Sequence, residues 1–129
     1  QVMGHIGLLP QSEKGKFTFK GKTKIEENKI LNDAKILASS GVFGIVLECI
    51  EKSLAKKITG SIKIPTIGIG SSVYCDGQIL VTDDLLGLSN TNYRFIKKYA
   101  NLKINIDKAA NHFKKDVIKK LFPKNKNSY

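Results

Sequence analysis

Three clusters of polar or glycine residues stand within or directly after apolar runs of this chain. They are where its chemistry would sit. Glu48 follows Phe43-Gly44-Ile45-Val46-Leu47, His5 lies inside Val2-Met3-Gly4-His5-Ile6-Gly7-Leu8, and Gly68-Ile69-Gly70-Ser71-Ser72 runs on to Asp76. A carboxylate is costly to desolvate behind such a run, and a partly desolvated carboxylate is suited to proton transfer. The same position fits an N-terminal cap or dipole partner for a following helix, and position alone leaves both readings open. A lone histidine between glycine and isoleucine is more often a hydrogen-bonded core residue than a catalyst. His112, beside Phe113 with no matching ligand, reads as surface. Gly68-Ile69-Gly70 lacks the third glycine of a dinucleotide-binding turn, so its glycines fit a close backbone approach better than a phosphate site.

The elements that would hold these residues can be read from periodicity. Val2 to Leu8, bounded by Pro10, has no polar alternation and predicts a strand buried on both faces. Ser12 to Lys22 reads as exposed. Thr23 and Glu26 have capping-box spacing, and Ile25, Ile30, Leu31, Ala34, Leu37 and Ala38 continue a helix up to Gly41. Val42 to Leu47 predicts a second strand, Leu54, Ala55 and Ile58 a short helix ending at Gly60, and Pro65 to Gly70 a third strand. Gln78 to Val81 is a fourth apolar run, too close to the third for a full intervening helix. Phe95, Ile96, Tyr99 and Leu102 have helical spacing, and Ile106 to Leu121 predicts a longer amphipathic helix whose polar face carries Lys114, Lys115, Lys119 and Lys120. Strand and helix in alternation, with strands apolar throughout, is the pattern of a parallel sheet with helices on both sides. A flavodoxin-like or Rossmann sheet could use these units. A (β/α)8 barrel of about 250 residues would be about twice this length, and the opening directly on an apolar strand favours half of one.

Composition excludes several classes. The chain has 129 residues, 41% hydrophobic and 26% charged, as expected of one soluble domain. No run approaches the roughly 18 apolar residues of a membrane span, and the first residues lack the order of a secretory signal, so the expected location is cytoplasmic with no membrane partner. Cys49 and Cys75 lack Cys-x-x-Cys spacing, so neither a disulfide framework nor a zinc site is indicated. The net charge of +11 raises the question of nucleic acid. Only Arg94 among the 22 basic residues is arginine, the residue such a surface would recruit, and abundant Lys, Asn and Ile fit AT-rich coding instead. No nucleic-acid partner is expected. Gln1 leads directly into a strand, so the natural N-terminus is expected to lie further upstream.

Read together, five segments resemble the carboxyl-terminal half of the ketopantoate hydroxymethyltransferase family. They are Val2 to Leu8 with Pro10-Gln11-Ser12; Val46-Leu47-Glu48-Cys49; Ile64-Pro65-Thr66-Ile67-Gly68-Ile69-Gly70; Cys75-Asp76-Gly77-Gln78-Ile79-Leu80-Val81 with Asp84-Leu85-Leu86-Gly87; and Phe95-Ile96-Lys97-Lys98-Tyr99-Ala100. The resemblance runs over about residues 1–122, leaving 123–129 as a polar tail. It implies an α/β fold, a (β/α)8 TIM barrel of the phosphoenolpyruvate mutase and isocitrate lyase type, with residues 1–129 forming the second half of a single barrel domain. It further implies transfer of a hydroxymethyl group from 5,10-methylenetetrahydrofolate to 3-methyl-2-oxobutanoate, giving 2-dehydropantoate on the route to pantothenate and coenzyme A. Mg²⁺ would chelate the keto acid, and the complete protein would be a decamer. Glu48 matches the family's general base and His5 its keto-acid pocket histidine. No metal ligand is expected in this chain; those residues belong to the amino-terminal half.

The chain also departs from the family. Glu13-Lys14-Gly15-Lys16-Phe17 replaces a His-containing, glycine-rich stretch, and Ser71-Ser72-Val73 replaces a more usual Ala-Gly pair. Half a barrel leaves a sheet edge without its hydrogen-bond partners, so the chain is expected either to be a piece of a longer enzyme or to fold poorly and lack activity. The other enzymatic reading is a different mutase-like carbon–carbon bond enzyme on the same barrel.

Overall fold

The computed structural model describes residues 1–9 and 18–129. The Pro10-Gln11-Ser12 motif, the start of the exposed Ser12 to Lys22 stretch and the departure at Glu13 to Phe17 lie outside the described residues. Two compact units are present, Gln1–Leu80 and Val81–Tyr129.

In the first unit, β1 (Gly4–Gly7), α1 (Lys24–Ser39), β2 (Ile45–Glu48), α2 (Lys52–Ser61), β3 (Thr66–Ile69) and β4 (Gly77–Gln78) follow in order. The strands are parallel and neighbour one another in chain order. Right-handed crossovers between sequential parallel strands all return on one side of the sheet. The core obeys this rule. Ile45 and Leu47, fully buried, point into a cluster with Ile30 and Ala34 of α1 and Leu54, Ala55 and Ile58 of α2. The opposite face carries Val46, Glu48 and Ile67, which are half-buried, and His5, which is exposed. The expectation of a first strand buried on both faces is therefore corrected, and within this unit α1 and α2 cover one face of the sheet rather than both. Sequential strand order allows a single helical layer, as in a barrel and unlike a doubly wound sheet, where the order reverses.

Local chemistry explains the helix boundaries. Thr23 Oγ1 accepts the Glu26 N–H at 3.2 Å, while Glu26 Oε2 reaches back to the N–H of Lys22 at 3.0 Å, one residue upstream of the usual capping-box partner. Gly41, at φ +84°, carries the chain away from the end of α1. At α2 the Glu51 carboxylate accepts the N–H groups of Ser53 and Leu54, at 2.8 and 3.0 Å, which makes Glu51 the N-cap.

The return from β3 to β4 is too short for a helix. Gly68 makes this possible, because a Cβ there would come within 3.0 Å of both Cys75 Sγ and Gln78 Oε1, so the connection packs straight onto the sheet. Asp76 anchors it. Its carboxylate accepts the N–H of Thr66 at 2.8 Å and the Thr66 hydroxyl at 3.0 Å, and Thr66, fully buried, also contacts the Thr59 hydroxyl at 2.8 Å. The expected strand over Gln78 to Val81 is shorter than its apolar run, since Val81 is already the residue preceding a helix.

That helix, α3 (Thr82–Leu86), opens the second unit. Gly87 ends it at φ +68°, with the Leu88 N–H on the Asp83 carbonyl at 2.8 Å. Asp84 is buried, and its carboxylate accepts hydrogen bonds from the hydroxyls of Ser89 and Thr91, which hold its pKa below the usual aspartate range. The helix expected from Phe95 to Leu102 does not form. Ile96 N–H closes a turn onto Tyr93 at 2.9 Å and Tyr99 N–H is taken by the Leu85 carbonyl at 2.9 Å, so this stretch lies across the end of α3. Leu102 instead starts α4 (Leu102–Ile118), the long amphipathic helix expected nearby. No helix among the described residues is long and apolar enough to cross a membrane.

The Thr66 N–H, followed by the Thr66 hydroxyl, holds the Asp76 carboxyl below the usual aspartate value of about 3.9. Stability from this contact is therefore full above about pH 4 and is lost as pH falls through the lower folded-state value. Asp76→Asn is expected to lower the thermal midpoint at pH 7 and to flatten its fall below about pH 4. Thermal unfolding of both proteins across pH 2 to 7 checks this.

Candidate active site at the strand ends

His5 and Glu48 come from adjacent strands. The register pairs His5 with Val46 and Gly7 with Glu48, and residues alternate faces along a strand, so His5, Val46 and Glu48 share the face opposite α1 and α2. His5 Nε2 lies 3.2 Å from Glu48 Oε2, with 33% of the histidine side chain and 14% of the glutamate side chain exposed. The two residues singled out from sequence thus form one contact, Glu48 from the last position of β2 and His5 from within β1. The competing reading of Glu48 as the cap of the next helix is resolved by Glu51, which performs that task three residues later.

Main-chain contacts fix where Glu48 stands. Its carbonyl accepts the Leu8 N–H at 2.9 Å, and the following N–H, of Cys49, donates to the Ile69 carbonyl at 2.8 Å. The glutamate is held from both neighbouring strands. Cys49 takes φ +49°, a left-handed conformation that costs a non-glycine residue about 1–3 kcal/mol and ends the strand there. Burial pushes the Cys49 thiol pKa up, and the adjacent Glu48 charge pushes the same way. Gly7, at φ +106°, permits the close approach of β1, since a Cβ at this position would fall 2.1 Å from the Glu48 carbonyl oxygen. Ser71, after β3, donates its hydroxyl to the Leu47 carbonyl at 2.6 Å and accepts the Ile50 N–H at 3.0 Å. Sequence reasoning gave Ser71 no role, because a serine in a glycine-rich turn carries no spacing signal. Glu51 was equally overlooked, although Glu51-Lys52-Ser53 ahead of Leu54 is a readable helix start.

His112 is exposed on α4, 3.7 Å from Asp116 one turn on. No helix opens at Gly68 to Ser72, consistent with the absence of a phosphate loop. A cleft of about 350 Å³ lies between β1 and α1, with His5, Leu9, Lys20, Lys29 and Asp33 in its lining. Glu48 is not among its lining residues; the cleft follows the unpaired edge of β1. Among the described residues no three His, Cys, Asp or Glu side chains converge as metal ligands.

A parallel sheet in chain order, one helical layer, and a carboxylate and imidazole meeting at the strand ends define the β/α class that places its chemistry at this rim. The family model for ketopantoate hydroxymethyltransferase matches residues 1–125. The chain belongs to that family. The 3-methyl-2-oxobutanoate hydroxymethyltransferase of Pelagibacter ubique is 59% identical over 99% of this chain and 49% of its own length. The proteins of that name from Carboxydothermus hydrogenoformans and Sulfolobus acidocaldarius are 49% and 48% identical over 99% and 98% of the chain, in each case 48% of the relative. The chain spans about half the length of the curated relatives it matches. The family is one of TIM barrels, so the four parallel strands and their helical layer form part of that architecture.

The Gly7 contact yields a direct test. Gly7→Ala forces both a strained φ and a clash with main chain that cannot swing aside, so a loss of roughly 3 kcal/mol or more is expected. Urea unfolding of the two proteins measures it. An alanine variant of unchanged stability would mean that the strands do not meet this closely.

Proposed function

We propose that this chain is the second half of a (β/α)8 barrel enzyme that transfers a hydroxymethyl group from 5,10-methylenetetrahydrofolate to 3-methyl-2-oxobutanoate, with Glu48 as general base and His5 as a keto-acid pocket residue. The observation that carries the proposal is the contact of 3.2 Å between His5 and Glu48 on the face opposite α1 and α2, in a chain of this family. A proton on carbon next to a ketone is weakly acidic. Its removal needs a base held beside it in a site with little water. Glu48, mostly buried next to Val46 on the same face, meets those conditions, and its backbone is fixed from both sides.

In this reading Glu48 takes the proton from C3 of the keto acid, and the enolate carbon bonds to the one-carbon unit delivered by the folate. A water supplies the hydroxyl of the new hydroxymethyl group, both folate C–N bonds to that carbon break, and the proton taken by Glu48 together with the second proton of the water ends on the two folate nitrogens as tetrahydrofolate leaves. His5 contributes a polar nitrogen to the pocket wall and keeps the Glu48 carboxylate turned towards the mouth. Mg²⁺ belongs to the proposal as an ion held by residues outside this chain, and none of the roles assigned here depends on it. The complete enzyme is proposed to be a cytoplasmic decamer.

The test uses a complete barrel, made by joining the first half of the Pelagibacter ubique relative to this chain. It is expected to form 2-dehydropantoate from 3-methyl-2-oxobutanoate and 5,10-methylenetetrahydrofolate with Mg²⁺, whereas the isolated chain is expected to show no turnover. Glu48→Gln in the complete barrel is expected to lower kcat by roughly 10²- to 10⁴-fold. Robust turnover by the isolated chain, or an undiminished rate with Glu48→Gln, overturns the proposal.

A further inference from the structure

Glu48 and the residues beside it belong to two register rows. The outer row joins Gly7, Glu48 and Ile69, and the row two residues earlier joins His5, Val46, Ile67 and Gly77. Residues alternate faces along a strand, so both rows turn to the face opposite α1 and α2. His5, the proposed pocket residue, stands in the earlier row and reaches Glu48 from it, which places that row at the wall of the site. Gly77 leaves a gap in this row that the δ-methyl of Ile67 uses, since a Cβ at position 77 would lie 2.8 Å from Ile67 Cδ1. The φ of Gly77 lies outside the left-handed range, so this glycine supplies a missing side chain rather than backbone freedom. Ile67 and Val46 are half-buried, with open surface on this face.

We infer that Gly77 is a specificity-determining residue: by leaving room for the Ile67 δ-methyl over β4, it keeps the pocket floor beside Val46 open to a keto acid branched at C3. The inference rests on the proposed role of Glu48 as base. With the C3 hydrogen turned to Glu48 and the oxygens of C1 and C2 on polar partners, the two methyls of C3 need apolar surface next to the base. Val46 and Ile67 supply it one row further from the mouth. After transfer C3 is quaternary, so the site must hold both methyls and the new hydroxymethyl group at once. A protein methyl turned into that space would compete with them directly. Branching at Cβ keeps the first torsion of Ile67 stiff, so a side chain at position 77 would turn the δ-methyl off β4 and towards the interior.

The complete barrel is assayed with 3-methyl-2-oxobutanoate and with 2-oxobutanoate, which carries one methyl fewer on C3. Gly77→Ala is expected to lower the ratio of their kcat/KM values, branched over unbranched, by about ten- to a hundred-fold. Its urea midpoint should stay close to that of the parent, because the displaced atom is the end of a side chain. Adding Ile67→Val, which removes the displaced methyl, should return the ratio to within about threefold of the parent. Ile67→Phe crowds the same spot from the neighbouring strand and is expected to move the ratio in the same direction, so it serves if the alanine variant does not fold. An unchanged ratio overturns the inference. So does an equal loss with both keto acids, or a loss that Ile67→Val leaves in place, since either marks general damage to β4. A parent barrel that forms no hydroxymethylated product, or an undiminished rate with Glu48→Gln, overturns the role of Glu48 and the inference with it. A working parent whose ratio does not respond to Gly77→Ala overturns the inference alone, and the two failures are thereby separate.

Discussion

Because β1, β2 and β3 pair side by side in chain order, each crossover returns on the same side of the sheet and the two faces acquire different tasks. One face receives the apolar sides of α1 and α2 and is closed by Ile45, Leu47, Ala34, Ala55 and Ile58. The other, turned away from α1 and α2, carries His5, Val46, Glu48 and Ile67. The strand period of two then decides which residues are structural and which are available, and a slip of one residue would exchange them. Glu48 owes its place to this constraint. It ends a strand whose alternate residues are fully buried, so it is carried to the rim by packing in which it takes no part.

Much of this was legible in the amino-acid sequence. The run ending at Glu48, the helix opened by Thr23 and Glu26, and the third strand after Pro65 all stand where their periodicity and caps put them. What could not be read was which way each surface faces. A strand apolar on both sides signals contact on both sides, and nothing local distinguishes a second helical layer from the interior of a ring of strands. The stretch from Phe95 to Tyr99 misled for a related reason. Its apolar spacing suits a helix, yet its N–H groups at Ile96 and Tyr99 are taken by Tyr93 and by the end of α3. Tertiary hydrogen bonds outweighed a short periodic signal.

The polar atoms at the mouth divide the work between holding and presenting. Glu51 caps α2, Asp76 and Thr66 secure the return to β4, and Ser71 joins two loops, so each has partners within the protein. Glu48 differs from them in having its carboxylate against a single histidine. Of two acidic residues three positions apart, one is absorbed by a helix start and the other stands against His5. Sequence patterns place a carboxylate near a strand end readily enough. They do not reveal which of two neighbours the following helix will use, because that depends on where the turn at Cys49 begins the new element.

The meeting of Gly7 with the Glu48 carbonyl is made by backbone atoms alone. The spacing between the first two strand ends is consequently set by main chain, with the core side chain of Ile50 against the same spot. Substitutions in the outer helical layer can accumulate and re-sort over long divergence without altering the gauge of the mouth, so long as position 7 stays bare. A lineage is then free to retune the exterior, for temperature or for assembly with other subunits, while its reacting groups keep the same separation.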